Sequence, residues 1–442
     1  MEIQAFADTA GLLDVVPLPD LVPLRQRFPR PQVGDVEATV AAALNEAEAV
    51  RALSPGARVA VAVGSRGIAD IAAIVRAVVA TLRRQGADPF IVPAMGSHGG
   101  ATAEGQEAAL TSLDISADRV GAPVVSSLEV DLLGRLPNGL PVYMDHAARG
   151  ADGIVVVNRV KPHTEFGAEI ESGLAKMVAI GLGKHAGALA LHAWGVEGMA
   201  RYIPEAARYA VACAPLLCGV ANVENAYDEV AEIIAVPPRE IGGETERALL
   251  RWARFLMARL PWDALDVLVV DTIGKNISGA GMDTNVIGRM RLADAPKPTA
   301  AAITNIVALD VTEESHGNAL GVGLADFTTV RLIGKLNTQA VYINALTAGV
   351  TAMNLCKLPM ILATDRAAVA AAIRTCGSPD PTGVRLARVR STLHLEHILA
   401  SASSLPHLRQ GSDVDIMGEP APFGVRSDGA LEPFPHAHAS VT

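Results

Sequence analysis

"ARVAVAVGSRGIADIAAIVRAVVATLRRQG" occupies residues 57–86. It reads as a short apolar strand, a glycine turn and a helix. The unit recurs in "DPFIVPAMGSHGGATAEGQEAALTSL" (88–113), and a third buried strand, "ADGIVVVNRVKPHTEFG" (151–167), runs into a loop. Strands alternating with helices predict a mostly parallel sheet covered on both faces.

The composition agrees with that class. Hydrophobic residues make up 50% of the 442-residue chain, which argues against disorder, and aromatics only 4%. A core of Ala, Val, Leu and Ile suits buried parallel strands. The formal net charge of -10, with no Lys/Arg-rich run, excludes the electrostatic footprint of nucleic acid or an anionic membrane. The N-terminal "MEIQAFADTAG" has neither a basic segment nor an apolar one, so a cytoplasmic location is expected. Four cysteines (Cys213, Cys218, Cys356, Cys376) form no CxxC and are expected reduced and mostly buried. The longest uncharged stretch, 336–356, carries seven Asn, Gln or Thr residues and is expected to be a buried helix of a soluble domain.

Length suggests two or three domains. The expected division is an N-terminal α/β domain (1–262) with a proline-rich arm over 14–34. A second α/β domain (263–417) opens with the strand "ALDVLVVDTIG", and 418–442 is expected to be a mobile tail. The helix "GGETERALLRWARFLMARLPW" reads as the connector. The active site is expected in the cleft between the domains.

In open α/β sheets ligands bind at the carboxyl ends of strands. Three such ends carry polar residues: Gly64, Ser65 and Arg66 in GSRG, His98 in GSHGG, and His163 in KPH. Glycine loops leading into a helix can turn their amides toward an anion, and an arginine adds a fork of donors. The same loops can be tight turns chosen for geometry alone, and a loop histidine can be structural. Neither loop matches GxGxxG or GxxxxGK[ST], so the usual dinucleotide and P-loop readings lack their fingerprints.

The following stretch, "KPHTEFGAEIESGLAKMVAIGLGKHAGALALHAWG" (161–195), places three of the eleven histidines and three of seven lysines among apolar residues. On one unbroken helix Lys176 and His192 would lie about 160° apart, on opposite faces. Gly181 and Gly183 favour a break, which would let both reach one cavity. A lysine there can act as a nucleophile, and a histidine as base or metal ligand. Lys184 is expected to be a solvated head at the turn. His185, seven residues before His192, shares its face and competes with it as a ligand.

With these residues in hand, the sequence resembles the nickel-dependent lactate racemase family. The matches are Arg66, GSHGG with His98, VKPH with His163, then Lys176, and His192 sixteen residues later. The likeness is clearest over 58–195. It implies that Lys176 tethers a nickel-pincer nucleotide through a thioamide, that His192 is the protein ligand to nickel, and that His98 and His163 are acid and base. It implies a cofactor held also by Gly64, Ser65 and Arg66, and enzymes of cofactor synthesis as partners. The implied reaction inverts a 2-hydroxy acid by moving its α-hydrogen as hydride to and from the cofactor. Val63 stands where the family usually has aspartate, ESGLAK replaces its GGRK-type glycines, and the P-G after the lysine is missing. These departures mark a divergent branch and leave the substrate open. In the second domain Lys275 is the expected cofactor contact. Arg289 is a further candidate for a substrate carboxylate, and His316 and Asp326 are expected in loops over the cleft. The alternatives are another cofactor-dependent oxidoreductase or lyase, and a protein that only binds an anionic metabolite.

Overall fold

A computed structural model describes residues 6, 8, 11–64, 67–290 and 300–435. The chain forms two compact units, one of residues 29–257 and one of 1–28 together with 258–442.

The unit of residues 29–257 is built on a five-stranded sheet. Its order is Asp88–Pro93, Arg58–Val63, Gly153–Arg159, Leu216–Glu224, Val230–Val236. All neighbours are parallel except the last pair. Side chains alternate between the two faces, as a period of two requires. Val59, Val61 and Val63 enter one core with Val155 and Val157; Ala60, Ala62, Ile154 and Val156 enter the other. Helix Ile71–Arg84 buries Ile71, Ile74, Val75, Val78, Val79 and Leu82, spaced by three and four, against the first core. This places the ends of three parallel strands, Val63, Pro93 and Arg159, at one edge of the sheet.

The other unit holds an eight-stranded sheet. Five parallel strands come first: Met360–Leu362, Phe327–Thr329, Ala302–Val311, Ala264–Ile273 and Leu386–Val389. Antiparallel His397–Ser401, Leu21–Gln26 and Val414–Ile416 complete it.

Four sequence expectations differ from this structure. The arm over 14–34 contains a strand, because Leu21, Val22 and Leu24 are buried and pair with His397–Ser401. Residues 1–28 therefore belong with the C-terminal unit, and the connector helix, Glu244–Leu256, ends just before the break. The tail is ordered as far as residue 435, since Phe423, Leu431 and Phe434 are buried and Val425 bridges Leu431; residues 436–442 lie outside the described set. The uncharged stretch 336–356 forms helix Thr338–Ala348, but Tyr342, Ile343 and Leu346 are exposed rather than buried. Among the cysteines only Cys218 and Cys376 are buried, and all four are free. Among the described residues no single helix is long and apolar enough to cross a membrane.

Truncating Leu24, 1% exposed, to alanine is expected to cost about 2–5 kcal/mol. Amide exchange should quicken across Leu21–Gln26 and His397–Ser401, while Arg58–Val63 keeps its protection. Hydrogen exchange read by mass spectrometry checks this, and unequal loss between the units is the expected result.

Candidate functional site

The expected break after Lys176 is present. Leu174–Lys176 is a single helical turn, Met177–Gly181 widens into a π turn, and Lys184–His192 is a separate helix. The two halves meet at 105°. Beneath the first turn lies Glu246, 1% exposed, whose carboxylate accepts from the backbone N–H groups of Ala175 and Gly242. A carboxylate at the open N–H groups of a helix start satisfies donors that have no partner within the helix. Gly173 makes room for it, because a Cβ there would meet Glu246 Oε1 at 2.3 Å.

The bend brings His163, Lys176 and His192 into one neighbourhood. Lys176 Nζ lies 2.6 Å from His163 Nε2. His163 Nδ1 accepts from the backbone N–H of Glu165 at 3.1 Å, and Phe166 packs on the ring at 4.4 Å between centroids. The backbone N–H of His163 donates to Glu171, a carboxylate also held by the N–H of Ala168 and by Arg254. Burial pushes the His163 imidazole well below its ordinary value, and the positive charges of Lys176 and Lys161 and the nearby His192 push it the same way. His192 is lowered as well, by burial first, with Glu165 opposing and Lys176 assisting. The Nδ1 atoms of His185 and His192 are buried with no hydrogen-bond partner.

The two glycine loops abut this segment. A Cβ on Gly64 would lie 2.9 Å from Met177 Cε and from Asn158 Oδ1, so a side chain at the loop start would have to displace Asn158 or the residue after Lys176. Ser65 and Arg66 lie outside the described residues. In GSHGG, Gly96 adopts a left-handed φ of 58°, its N–H donates to Gly181 O, and a Cβ on it would touch Ile180 at 3.0 Å. His98 itself is exposed and stands just before the Gly99–Ala101 turn.

Lys184 is not a solvated head. It is 0% exposed, pairs with Asp145 at 3.1 Å, and donates to Pro93 O and Gln106 Oε1. Gln106 in turn donates to Gly96 O and His98 O. The lysine is thus the root of a buried network that carries the His98 loop. Its motif, a lysine after GLG, gave no sign of burial because its partner Asp145 lies 39 residues earlier.

The C-terminal candidates divide. Lys275, in the other unit, turns its ammonium to Gly279 O of its own loop. Arg289 is spent on Asp326 and on the carbonyls of Leu324, Ile303 and Thr304, so both it and Asp326 hold the fold rather than a substrate. His316 sits in a left-handed turn after Glu313–Ser315. Sequence reading missed Glu165, Glu171 and Glu246, whose tasks depend on backbone N–H groups that no side-chain motif shows.

Residues 20–200 match the family model described as lactate racemase N-terminal domain. Over that span, under half of the chain, the protein is similar to the N-terminal domain of lactate racemases. The matched span contains Gly64, His98, His163, Lys176 and His192, and not Lys275. Comparison with curated proteins gives no significant match. Among solved structures, a protein from Thermotoga maritima matches with a TM-score of 0.52 at 12% identity, covering 84% of this chain and 99% of its own. The lactate racemase apoprotein from Thermoanaerobacterium thermosaccharolyticum matches with a TM-score of 0.49 at 12% identity, covering 85% and 99%. The first of these likenesses shows a shared fold.

Two outcomes follow from the electrostatics. Lys184→Met leaves Asp145 charged in the interior and is expected to cost about 3–5 kcal/mol in urea unfolding, while Lys184→Met/Asp145→Leu recovers part of the loss. For His163 the folded value lies below the ordinary 6.5, so on acidification the unfolded chain binds the proton first. Stability is therefore full above about pH 6.5 and falls as pH drops, by up to about 1.4 kcal/mol per unit. Urea midpoints at pH 7, 6 and 5 should show a shallower fall in His163→Phe than in the unaltered chain.

Proposed function

We propose that this protein is a racemase or epimerase of a 2-hydroxy acid that works with a nickel-pincer nucleotide tethered to Lys176. The observation that carries the reading is the meeting of His163 and Lys176 at 2.6 Å, beside His192, inside the matched racemase domain. The matched domain supports the reaction class. The cofactor and the hydride step rest on the residue-by-residue resemblance.

The residues fit such a group. His192 offers a half-buried imidazole whose Nδ1 is itself buried and lacks a hydrogen bond. Gly64 leaves beside Met177 a space that any Cβ would fill. Among the described residues no three His, Cys, Asp or Glu side chains are grouped to hold a metal. A nickel ion here would take His192 from the protein and its other ligands from the nucleotide, in keeping with the square-planar preference of Ni(II). The chemistry that a bound cofactor supplies is reversible uptake of the α-hydrogen as hydride.

The protein's own part is to handle the hydroxyl proton and to exclude water. Burial keeps the His163 ring uncharged near neutral pH, and Phe166 with the Glu165 N–H fixes its orientation. His98 is the second proton carrier, its loop braced by Gln106 and Lys184. Cofactor-synthesis enzymes are the proposed partners, and the cytoplasm the proposed compartment.

Production of the chain alongside cofactor-synthesis enzymes tests the reading. Intact mass should show an adduct, mapped to the peptide containing Lys176, and His192→Ala should lose nickel while keeping its fold. Chiral chromatography of a panel of 2-hydroxy acids should show inversion. His98→Ala and His163→Ala should each slow it by about 10²–10⁴ while the adduct remains. Inversion at the unaltered rate in both variants would refute the assigned proton carriers.

A further inference from the structure

We infer that helix Glu244–Leu256 is the template that fixes His163 against Lys176, with Glu246 and Arg254 as its positioning residues. The inference goes beyond the racemase reading and rests on it only where attachment at Lys176 is the measurement.

The segment that carries both side chains has little regular structure between His163 and the turn Leu174–Lys176. An unrestrained chain of that length explores many backbone states. The approach of Lys176 Nζ to within 2.6 Å of His163 Nε2 therefore needs a support from outside the segment.

That support comes from one helix of the same unit. Glu244–Leu256 buries Leu249, Leu250, Ala253 and Leu256 in the core that also holds Phe166, Ile170, Leu174 and Ala175. Two side chains of the helix reach the segment at its opposite ends. Near the helix start, Glu246 accepts from Ala175 N–H at 3.0 Å and from Gly242 N–H at 2.7 Å. The N–H of Leu174 bonds the same carboxyl, and these bonds oppose the rise in its pKa that burial causes. Roughly two turns, about 12 Å, further along the axis stands Arg254. It donates to Ala168 O at 2.9 Å and to Glu171 Oε1 at 2.6 Å. Glu171, 4% exposed, passes the hold on: Oε2 takes His163 N–H at 2.6 Å and Oε1 takes Ala168 N–H at 2.8 Å.

Both fastenings grip backbone groups, so they set where His163 and Lys176 stand without touching a reacting atom. The N–H groups at a helix start have no partner within the helix. A buried one left bare costs more than its bond contributes, so the lysine turn has one favourable place. Gly173 shows how close the fit is, because a Cβ there would meet Glu246 Oε1 at 2.3 Å. Its φ of 170° is extended backbone that any residue adopts. The glycine therefore answers to the carboxyl and not to a turn.

The experiment uses the full chain in two measurements. The first needs no cofactor and reads amide exchange in the unaltered chain, Glu246→Gln, Gly173→Ala and Arg254→Met. Glutamine keeps the size of Glu246 but turns an N–H toward N–H groups, and Gly173→Ala pushes the same carboxyl aside without altering it. Both should quicken exchange over residues 173–177 by at least about tenfold while Ile71–Arg84 keeps its protection. Arg254→Met, at a side chain 43% exposed, should do the same over residues 163–169. The second measurement follows nucleotide attachment at Lys176, per folded molecule, in chains made alongside cofactor-synthesis enzymes. Each of the three variants should slow attachment by about tenfold or more, as a small misplacement of a reacting group does. Arg254→Lys, which keeps a cation for the same two acceptors, should lose less than Arg254→Met. A merely structural role predicts exchange quickened evenly across residues 29–257, or local quickening with attachment per folded molecule unchanged. Either result overturns the inference, as does unaltered exchange in all three variants. An unaltered chain that takes no nucleotide at Lys176 would overturn the tether reading instead, and the exchange pattern alone would then decide this one.

Discussion

Gly181 touches the backbone of a neighbouring strand end so closely that no side chain can stand there. A Cβ on it would lie 2.6 Å from Ala94 O and 2.7 Å from Met177 Sδ. That approach lets the chain widen into a π turn and bend by 105°. It also joins the end of strand Asp88–Pro93 to the lysine segment, because Gly96 N–H then reaches Gly181 O. From this contact the rest of the site follows. The first half of the bend faces Lys176 toward the KPH loop, the second returns His192 to it, and Lys184 at the corner is driven inward. A π turn leaves a backbone register that an ordinary helix would not have, and such turns recur at functional positions.

The corner has its own energetic logic. Lys184 adopts a left-handed φ of 51° and loses all contact with water. A buried ammonium is tolerable only if paired and hydrogen-bonded. Asp145 supplies the charge, while Pro93 O and Gln106 Oε1 supply acceptors. Burial still lowers its basicity despite Asp145. The network spans a strand end, a helix and a hairpin strand, so it couples the position of the His98 loop to that of the bend. Under the racemase reading proposed above, proton carriers on separate strand ends would depend on such a brace, since a shift of about 1 Å is enough to cost catalysis.

The sequence made the strand–glycine–helix units legible because period-two and helical burial leave clear marks in Val, Ile and Ala. It also showed the break after Lys176, because two glycines in three residues interrupt any helix. It did not show that Leu21–Gln26 joins the far sheet: pairing between residues more than 370 positions apart leaves no local trace. The prolines around that strand suggested an arm, yet Pro23 still offers its carbonyl to the N–H of Met417. Lys184 was misread for a related reason. A charged residue after a glycine turn is ordinarily solvated, and only the distant Asp145 and Gln106 make burial possible. The acidic residues 165, 171 and 246 act through the backbone or bind it, and a pattern of side chains cannot reveal that.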